Sequence, residues 1–255
     1  MDDNESVNLL GVRVCTLPVE SLVSFITRTI HLGDKARIAY VNVHAINLAQ
    51  ELAWFRDFLN SSDVAWCDGF GVKWGARLLG LRIRYRYVLT DWITLLASEC
   101  AREHFSLYLL GARPGLAERA GVSLKQQFSD LNITGFQHGF FEKSPGSKEN
   151  EGVLQAINAA QPDILLVGLG MPLQERWLME NWDRLRIRVA IPVGALFDYL
   201  YGETLRAPRW MNDHGLEWLG RLIIEPRRLW RRYLLGNPRF IWLLVKQGLG
   251  MRRTG

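Results

Sequence analysis

Short apolar segments that alternate with helical patterns constrain the fold of this chain more than any other feature of its sequence. Strand and helix patterns alternate about five times between residues 37 and 193. Parallel strands joined by helical crossovers produce this order, because each crossover passes over one face of the sheet. The pattern therefore predicts an α/β core with a doubly wound, parallel, Rossmann-like sheet in residues 1–205. One long helix is expected over residues 44–59, where apolar residues recur at helical spacing.

A carboxylate stands at the end of one of these strands. The run Val64–Cys67 is apolar and stops at Asp68, which is followed by Gly69 and Gly71. In open parallel sheets, ligands bind at the carboxyl ends of the strands, and a carboxylate there can act as a general acid or base. The alternative is that Asp-Gly only forms a turn, in which aspartate bonds its own backbone and glycine adopts a positive φ.

Other residues that suit a binding site follow the remaining strands and should share the same edge of the sheet. Asn42 ends the strand predicted at residues 37–42, and its alternative role is to cap the next helix. Three glycines end later strands: Gly111, Gly168 and Gly194.

An arginine-rich connection over residues 82–91 follows the Asp68 region. It contains Arg86, and cations beside a strand-end carboxylate suit a phosphate-bearing ligand. The alternative structure for this stretch is a solvated edge strand. Thr90 or Asp91 is expected to cap a helix that continues to about Ala101.

Several classes of protein are made less favourable by what the sequence lacks. Three cysteines lie far apart without a Cys-x-x-Cys pair, and five histidines show no His-x-x-x-His spacing, so neither a disulfide framework nor a dedicated metal site is indicated. The acidic amino terminus has no apolar signal region, and no apolar run approaches the roughly 18 residues that span a bilayer. These features favour a reducing, cytoplasmic compartment.

The carboxyl-terminal segment differs in charge from the rest of the chain. Residues 206–255 contain 11 arginine or lysine residues against 3 aspartate or glutamate residues, although the net charge of the whole chain is only +5. At 100° per residue, arginines and apolar residues take opposite sides of a helix over residues 226–236. The arginines are Arg227, Arg228, Arg231 and Arg232, and the apolar residues are Leu229, Trp230, Tyr233 and Leu234.

A basic, amphipathic helix of this kind is typical of a segment that lies on an anionic membrane. We therefore predict that residues 206–255 form a helical membrane-binding appendage. The alternative is that the apolar face packs on the core or on a second subunit. Nucleic acid is a poorer partner, because the apolar half of the helix is too large for an element that faces phosphates.

Several motifs occur together and in a fixed order. They are Asn42, Asp68-Gly69-x-Gly71, Gly168-x-Gly170-x-Pro172-x-Gln174-Glu175, Val193-Gly194-Ala195-x-Phe197-Asp198, Arg206-Ala207-Pro208, Glu217-Trp218-x-x-Arg221 and Glu225-Pro226-x-Arg228. With these motifs the chain resembles the WecG/TagA/CpsF family of bacterial glycosyltransferases from about residue 7 to residue 244. Two positions depart from the family's pattern: Tyr40, where threonine is usual, and Leu89, where glycine is common.

The resemblance implies an inverting transfer of a sugar from a UDP-sugar to a polyprenyl-diphosphate-linked saccharide in cell-surface polysaccharide assembly. It implies a peripheral enzyme at the cytoplasmic face of the plasma membrane, with no metal ion or other cofactor. Asp68 matches the family's proposed general base. The donor sugar is left open between N-acetylmannosamine, its uronic acid and glucose, and a homo-oligomer away from the membrane is also left open.

The resemblance and the chemistry of the transfer together indicate two further sets of residues. Without a metal ion, the leaving diphosphate needs cations, backbone N–H groups and helix N-termini. The expected substrate-binding residues are Asn42, Gly69, Gly71, Arg86, Asp91, Gly111, Gly168, Gly170, Gln174, Glu175 and Gly194. The residues expected at the acceptor diphosphate or the membrane are Arg206, Arg209, Arg221, Arg227, Arg228, Arg231 and Arg232.

Two other classes of function remain as alternatives at this point. A nucleotide-dependent oxidoreductase uses a similar sheet, although the full Gly-x-Gly-x-x-Gly fingerprint is missing. A non-enzymatic adaptor would use only the basic tail, and Asp68 would then have no chemical role.

Overall fold

The computed structural model describes residues 6–202, 211 and 215–254. Eight strands are present in these residues: β1 (Ser6–Leu9), β2 (Val12–Cys15), β3 (Ala36–Val41), β4 (Val64–Cys67), β5 (Ser106–Gly111), β6 (Asn132–Gln137), β7 (Ile164–Gly168) and β8 (Val189–Pro192). They form one sheet in the order β1-β2-β4-β3-β8-β7-β5-β6. Only β1 is antiparallel to its neighbour among the pairings resolved, whereas β2–β4, β3–β8, β8–β7, β7–β5 and β5–β6 are parallel. The predicted doubly wound, mostly parallel α/β sheet is confirmed.

The helices between the strands are α1 (Val19–Leu32), α2 (Val43–Glu51), α3 (Ala53–Ser61), α4 (Phe70–Leu78), α5 (Leu89–Glu103), α6 (Leu116–Gln127), α7 (Lys148–Ala160), α8 (Leu173–Asn181) and α9 (Leu196–Tyr201). Residues 215–254 add α10 (Glu217–Ile224), α11 (Pro226–Trp230) and α12 (Gly236–Thr254), with a π-helical turn at Arg231–Leu235 between the last two. None of the helices in the described ranges is long and apolar enough to cross a bilayer.

The single helix expected over residues 44–59 is wrong, because the chain breaks it into α2 and α3. Leu52 adopts an extended conformation, with φ −116° and ψ 100°, while its N–H still bonds the Leu48 carbonyl at 2.8 Å. The bend at Leu52 redirects the chain so that Phe55, Phe58 and Leu59 are all buried. Burying such side chains contributes about 1.5–3 kcal/mol each, which outweighs the loss of helical continuity.

One smaller expectation about the connections is also wrong, and one alternative does not apply. Thr90 and Asp91 do not cap the helix that follows the arginine-rich connection, because α5 already begins at Leu89 and both residues lie in its first turn. Residues 81–88 form neither helix nor strand, so the edge-strand alternative does not apply.

The chain divides into two compact units. Of the residues that the structure describes, those within 1–18, 40–88 and 204–255 form one unit, and those within 19–39 and 89–203 form the other. The tail therefore belongs to the same compact unit as β4 and α4. The predicted division at residue 205 into a catalytic core and an appendage stays a prediction.

The second unit is held by buried apolar strands and by a polar network between two of its helices, α7 and α8. Every residue of β5, β7 and β8 is buried. The side chains of Asn150, Asn181 and Trp177 form a buried chain of hydrogen bonds, in which Trp177 Nε1 donates to Asn150 Oδ1 at 2.7 Å and Asn150 Nδ2 donates to Asn181 Oδ1 at 3.1 Å. Each buried polar atom named here thus has a partner, which removes the penalty for leaving it unsatisfied.

In the first unit, the tail packs on α2 and α4 through one row of side chains. Leu229, Tyr233, Phe240 and Leu244 are buried, and Asn47 Nδ2 of α2 donates to the Gly236 carbonyl at 2.8 Å. Arg239 of α12 also forms an ion pair with Glu51 at the end of α2. The alternative of packing on the core therefore holds for this row.

The predicted apolar face of the tail helix is only half buried. Trp230 and Leu234 are 42% and 53% exposed, although they were expected to share the environment of Leu229 and Tyr233. Each follows a buried residue by one position, which turns it by roughly a quarter of a turn around the helix axis. A helix that packs on one side buries a narrow stripe, so the next row of apolar side chains stays in solvent.

Candidate active site

Asp68 lies immediately after β4, as the sequence predicts. All four residues of this strand are buried, and the Asp68 N–H donates to the Val41 carbonyl of β3 at 2.9 Å. The ladder thus fixes the backbone of the carboxylate one residue beyond the last strand position. Asp68 itself is partly exposed, so its carboxylate remains accessible to a ligand.

Asn42 combines the two roles that the sequence left open. Its Oδ1 accepts a hydrogen bond from the Ala45 N–H at 3.0 Å and caps α2, and its Nδ2 lies 3.4 Å from Asp68 Oδ2. Capping fixes the rotamer of the side chain, because one end of the amide is held by the helix. The other end is then directed at the carboxylate and restricts its orientation.

A cavity of about 400 Å³ opens around Asp68. Its polar lining comes from the strand ends and from the tail: Asn42, His44, Asp68, Arg221, Arg232 and Asn237. Much of the remaining wall is aromatic or aliphatic, including Phe70, Trp74, Trp218, Tyr233 and Phe240. Two of the arginines that the sequence assigned to the acceptor diphosphate or the membrane therefore line the same cavity as the predicted base.

His44 is the cavity residue that sequence reasoning missed. It occupies the second position of α2, two residues after Asn42, and it is mostly buried. Burial, followed by the charge of Arg232, lowers the pKa of His44 to about 4. At neutral pH the ring is therefore uncharged and has one N–H donor and one acceptor nitrogen. Its position two residues beyond a strand-end asparagine was the available signal.

Arg86 lies close to the start of α4. Its guanidinium carbon is 4.0 Å from the centroid of the Phe70 ring, a cation–π distance, and the side chain is partly buried. The buried Nη1 has no hydrogen-bond partner among the described residues. A buried N–H donor of this kind is costly to leave unpaired, and an anionic ligand would satisfy it.

Cys67, which precedes Asp68, is unsuited to act as a nucleophile. Burial and then the charge of Asp68 raise the pKa of the Cys67 thiol to about 12, against smaller opposite effects of Arg86 and Lys73. The reactive form of cysteine is the thiolate, so this thiol is inert at neutral pH. Chemistry at this strand end therefore depends on the carboxylate.

The aromatic residue that departs from the family's pattern packs on Trp66, in the strand that precedes the carboxylate. Tyr40 contacts the buried Trp66 at a ring-centroid distance of 5.6 Å, and Tyr87 stacks on the same indole at 6.1 Å and 13°. The second departure, Leu89, is a buried residue at the start of α5.

In the second unit, Gln174 ties together two of the glycine loops that the sequence indicated. Its Oε1 accepts from the Gly170 N–H at 3.2 Å and from the Gly194 N–H at 3.0 Å, and its Nε2 donates to Glu175 Oε1 at 2.8 Å. Gln174 and Glu175 are 0% and 1% exposed. In this structure they brace the loops from inside, and direct contact with a substrate stays a prediction.

The strand-end glycines of the second unit are required by close packing of backbone. A Cβ on Gly111 would lie 2.3 Å from the Gly168 carbonyl oxygen, and Gly111 has φ +139°. Gly170 has φ +81°, which a side chain would strain. The loops after β5, β7 and β8 therefore present backbone at the strand ends, as expected for residues that approach a phosphate closely.

The remaining predicted residues lie elsewhere or outside the described residues. Asp91 is exposed in the first turn of α5. Arg227, Arg228 and Arg231 are exposed on the tail, where Arg228 pairs with Glu225 at 2.7 Å. Arg206 and Arg209 fall outside the described residues.

Among the residues that the structure describes, no three His, Cys, Asp or Glu side chains are placed to hold a metal ion. Independence from metal stays a prediction.

A doubly wound sheet with a strand-end carboxylate in a cavity that also contains two arginines is the architecture of an α/β enzyme. A sequence model described as "Glycosyl transferase WecG/TagA/CpsF family" matches residues 7–254. The chain belongs to this family and is a glycosyltransferase. The oxidoreductase and adaptor alternatives are thereby set aside.

Curated relatives carry a more specific name. The chain is 29% identical over 191 residues to the N-acetylglucosaminyldiphosphoundecaprenol N-acetyl-beta-D-mannosaminyltransferase of Bacillus subtilis strain 168, which covers 75% of this chain and 72% of the relative. It is 26% identical over 213 residues to the protein of the same name from Staphylococcus aureus strain MRSA252, covering 82% of this chain and 79% of the relative. Relatives of this kind support a role in the biosynthesis of cell-envelope polysaccharide.

Proposed function

We propose that this protein transfers N-acetylmannosamine from its UDP derivative to N-acetylglucosamine linked through a diphosphate to a polyprenol. The acceptor and the sugar are those in the names of the relatives from Bacillus subtilis and Staphylococcus aureus. The observation that carries the proposal for this chain is the cavity that contains Asp68, Asn42, Arg221 and Arg232 together. It provides a base and cations, which the transfer requires.

Asp68 acts as the general base in this proposal. A hydroxyl oxygen of the acceptor sugar attacks the anomeric carbon of the donor, the bond from that carbon to the UDP oxygen breaks, and UDP leaves with the electron pair. The hydroxyl proton passes to the Asp68 carboxylate, which Asn42 orients at 3.4 Å. Attack from the face opposite to the leaving group inverts the configuration. General-base catalysis of this kind contributes about 10²–10⁴-fold to the rate.

Cations and backbone N–H groups replace a metal ion in stabilising the two diphosphates. Arg221 and Arg232 line the Asp68 cavity, and the buried Nη1 of Arg86 has no partner among the described residues. In the second unit, Gly170 and Gly194 donate their N–H groups to Gln174, and the lack of a side chain at these glycines lets a phosphate approach the loop backbone closely. We propose that the loops bind the donor and that Arg221 and Arg232 bind the acceptor diphosphate.

The tail brings the enzyme to the cytoplasmic face of the plasma membrane, where a polyprenol-linked acceptor resides. Exposed apolar side chains support this placement, since Trp242, Leu235 and Ile223 are 60%, 59% and 69% exposed. Exposed Arg227 and Arg231 lie on the same segment. Apolar side chains next to arginines match the headgroup region of an anionic membrane.

The proposal is tested by incubating purified protein with synthetic N-acetylglucosamine-diphosphate-lipid and a panel of UDP-sugars. The panel contains the UDP derivatives of N-acetylmannosamine, its uronic acid, glucose and, as a control, N-acetylglucosamine. Mass spectrometry of the lipid product identifies the sugar transferred, and the one-bond carbon–hydrogen coupling constant at the new anomeric carbon reports inversion. Product from UDP-N-acetylmannosamine alone supports the proposal, whereas product only from another member of the panel corrects the donor. Absence of product with a folded protein overturns it.

A further inference from the structure

A second cavity, which the proposed chemistry does not use, lies between α4 and α12. It has a volume of about 480 Å³, and its lining contains no charged or polar side chain. One wall is formed by Leu78 and Leu79 at the end of α4. The other wall is formed by Ile241, Val245 and Gly248 of α12 together with their neighbours.

This apolar groove adjoins the Asp68 cavity, and the two cavities share part of their walls. Leu78, Ile241 and Leu244 line both cavities. A ligand that occupies both would have its polar part near Asp68, Arg221 and Arg232 and its apolar part between the two helices. The Asp68 cavity has charged residues in its lining, whereas the lining of the adjoining groove is wholly apolar, and both lie within the same compact unit.

Two glycines determine where α4 and α12 pack tightly and where space remains between them. A Cβ on Gly75 would lie 2.5 Å from Phe240 Cζ, so α12 packs tightly on α4 at that level. At Gly248 a Cβ would meet only Leu79 Cδ2, at 3.5 Å. The absence of a side chain at position 248 therefore leaves the far part of the groove open.

We propose that this groove binds the isoprenoid chain of the acceptor, in particular the units that follow the diphosphate. The inference rests on the proposed function, since it identifies where the lipid part of that acceptor lies. An apolar chain attached to an anionic, sugar-bearing head group accounts for the position of the groove beside a cavity that contains a base and two arginines. Burial of the chain explains why the walls are apolar although Leu78 and Val245 are 71% and 55% exposed.

A substitution that fills the groove with an apolar side chain should block binding of the isoprenoid chain without reducing the affinity of the protein for a membrane. Gly248→Leu places a side chain between α12 and Leu79 and also replaces a helical glycine, so it favours the helix rather than unfolding it. Gly248→Ala is the matched control, because its methyl group adds little volume. Acceptors with one and with four isoprene units are compared for both variants and the wild type, in detergent.

In the wild type, kcat/KM should be higher for the longer acceptor. In Gly248→Leu, the ratio of kcat/KM for the longer over the shorter acceptor should fall about tenfold, which corresponds to losing the burial of roughly two methylene groups. Gly248→Ala should keep the wild-type ratio within about twofold. Binding of Gly248→Leu to anionic vesicles should not weaken, because the substitution adds apolar surface.

Three outcomes would overturn the inference. If the wild-type enzyme is active and its kcat/KM is the same for both acceptor lengths, the groove does not bind the isoprenoid chain. A ratio in Gly248→Leu equal to that of the wild type places the chain elsewhere. Phosphatidylglycerol is also added to the detergent assay as a competitor, and competition that disappears in Gly248→Leu assigns the groove to a membrane phospholipid. In each case the transfer reaction itself persists, so failure of the groove is distinct from failure of the proposed function.

Discussion

The uncharged state of His44 makes a quantitative prediction about stability. The folded protein lowers the pKa of this histidine from 6.5 to about 4, first through burial and then through Arg232. The unfolded chain takes up a proton near pH 6.5, whereas the folded chain does so only near pH 4. Unfolding is therefore favoured as the pH falls through this window, and the stability associated with His44 is fully present above about pH 6.5.

The magnitude follows from the two pKa values. A depression of this size corresponds to about 3 kcal/mol once both states are protonated, because one pKa unit is worth about 1.4 kcal/mol. Between pH 7.5 and pH 5.5 the loss should be about 1–2 kcal/mol, since the unfolded state is mostly protonated at pH 5.5 and the folded state is not. Asp68, Arg221 and Arg232 line the same cavity as His44, and the charge of Arg232 opposes protonation of the imidazole.

Urea unfolding of the wild type and of His44→Gln at pH 7.5 and pH 5.5 measures this loss. The glutamine variant retains a polar side chain and cannot titrate, so it subtracts the contributions of all other groups. We expect the wild type to lose about 1–2 kcal/mol more than the variant between the two pH values. Equal losses in both proteins would show that His44 titrates in the folded state as it does in the unfolded chain, and the argument from burial would be refuted.

The remaining predictions concern the chemistry and the membrane. Asp68→Asn should fold normally and reduce kcat by about 10²–10⁴-fold, and activity within a few-fold of wild type at saturating substrates would exclude it as the base. Transfer should continue in EDTA, and activity that EDTA abolishes and Mg²⁺ or Mn²⁺ restores would reveal missed ligands. Replacing two exposed arginines by glutamate, Arg227→Glu with Arg231→Glu, should lower the affinity for anionic vesicles, measured by sedimentation, at least about 30-fold. This figure assumes about 1 kcal/mol of binding free energy for each positive charge removed. The matched control, Lys125→Glu with Arg186→Glu, changes the net charge equally and should bind vesicles nearly as the wild type does.

The strand-end carboxylate and the sheet could be predicted because each leaves a local signal. An apolar strand that stops at Asp68 and is followed by glycine states both the end of the strand and the position of the polar group. Asn42 was predicted as either a cap or a site residue, and only the structure reveals that one amide performs both tasks.

Other features were beyond sequence reasoning because they depend on tertiary contacts. Nothing near Leu52 in the sequence marks the break between α2 and α3, since no glycine or proline occurs there. The bracing role of Gln174 requires two loops that are distant in sequence to meet at one side chain. Periodicity identified the apolar face of the tail, but it does not state which half of that face meets α2 and α4. That choice left Trp230 in solvent and Tyr233 buried.

Helix α2 connects the base to the tail, and this has a consequence for exchanging parts between relatives. At its amino end, Asn42 holds Asp68, and about 13 Å further along, Glu51 pairs with Arg239, with Asn47 bonded to Gly236 between them. If the tail of a relative replaces the tail of this chain, the new tail lacks the residues that pair with Glu51 and Asn47 of α2. A chimaera that takes both α2 and the tail from one parent should keep these contacts. A chimaera joined at a single point near residue 205 would instead pack a foreign tail against α2, the helix that orients the carboxylate.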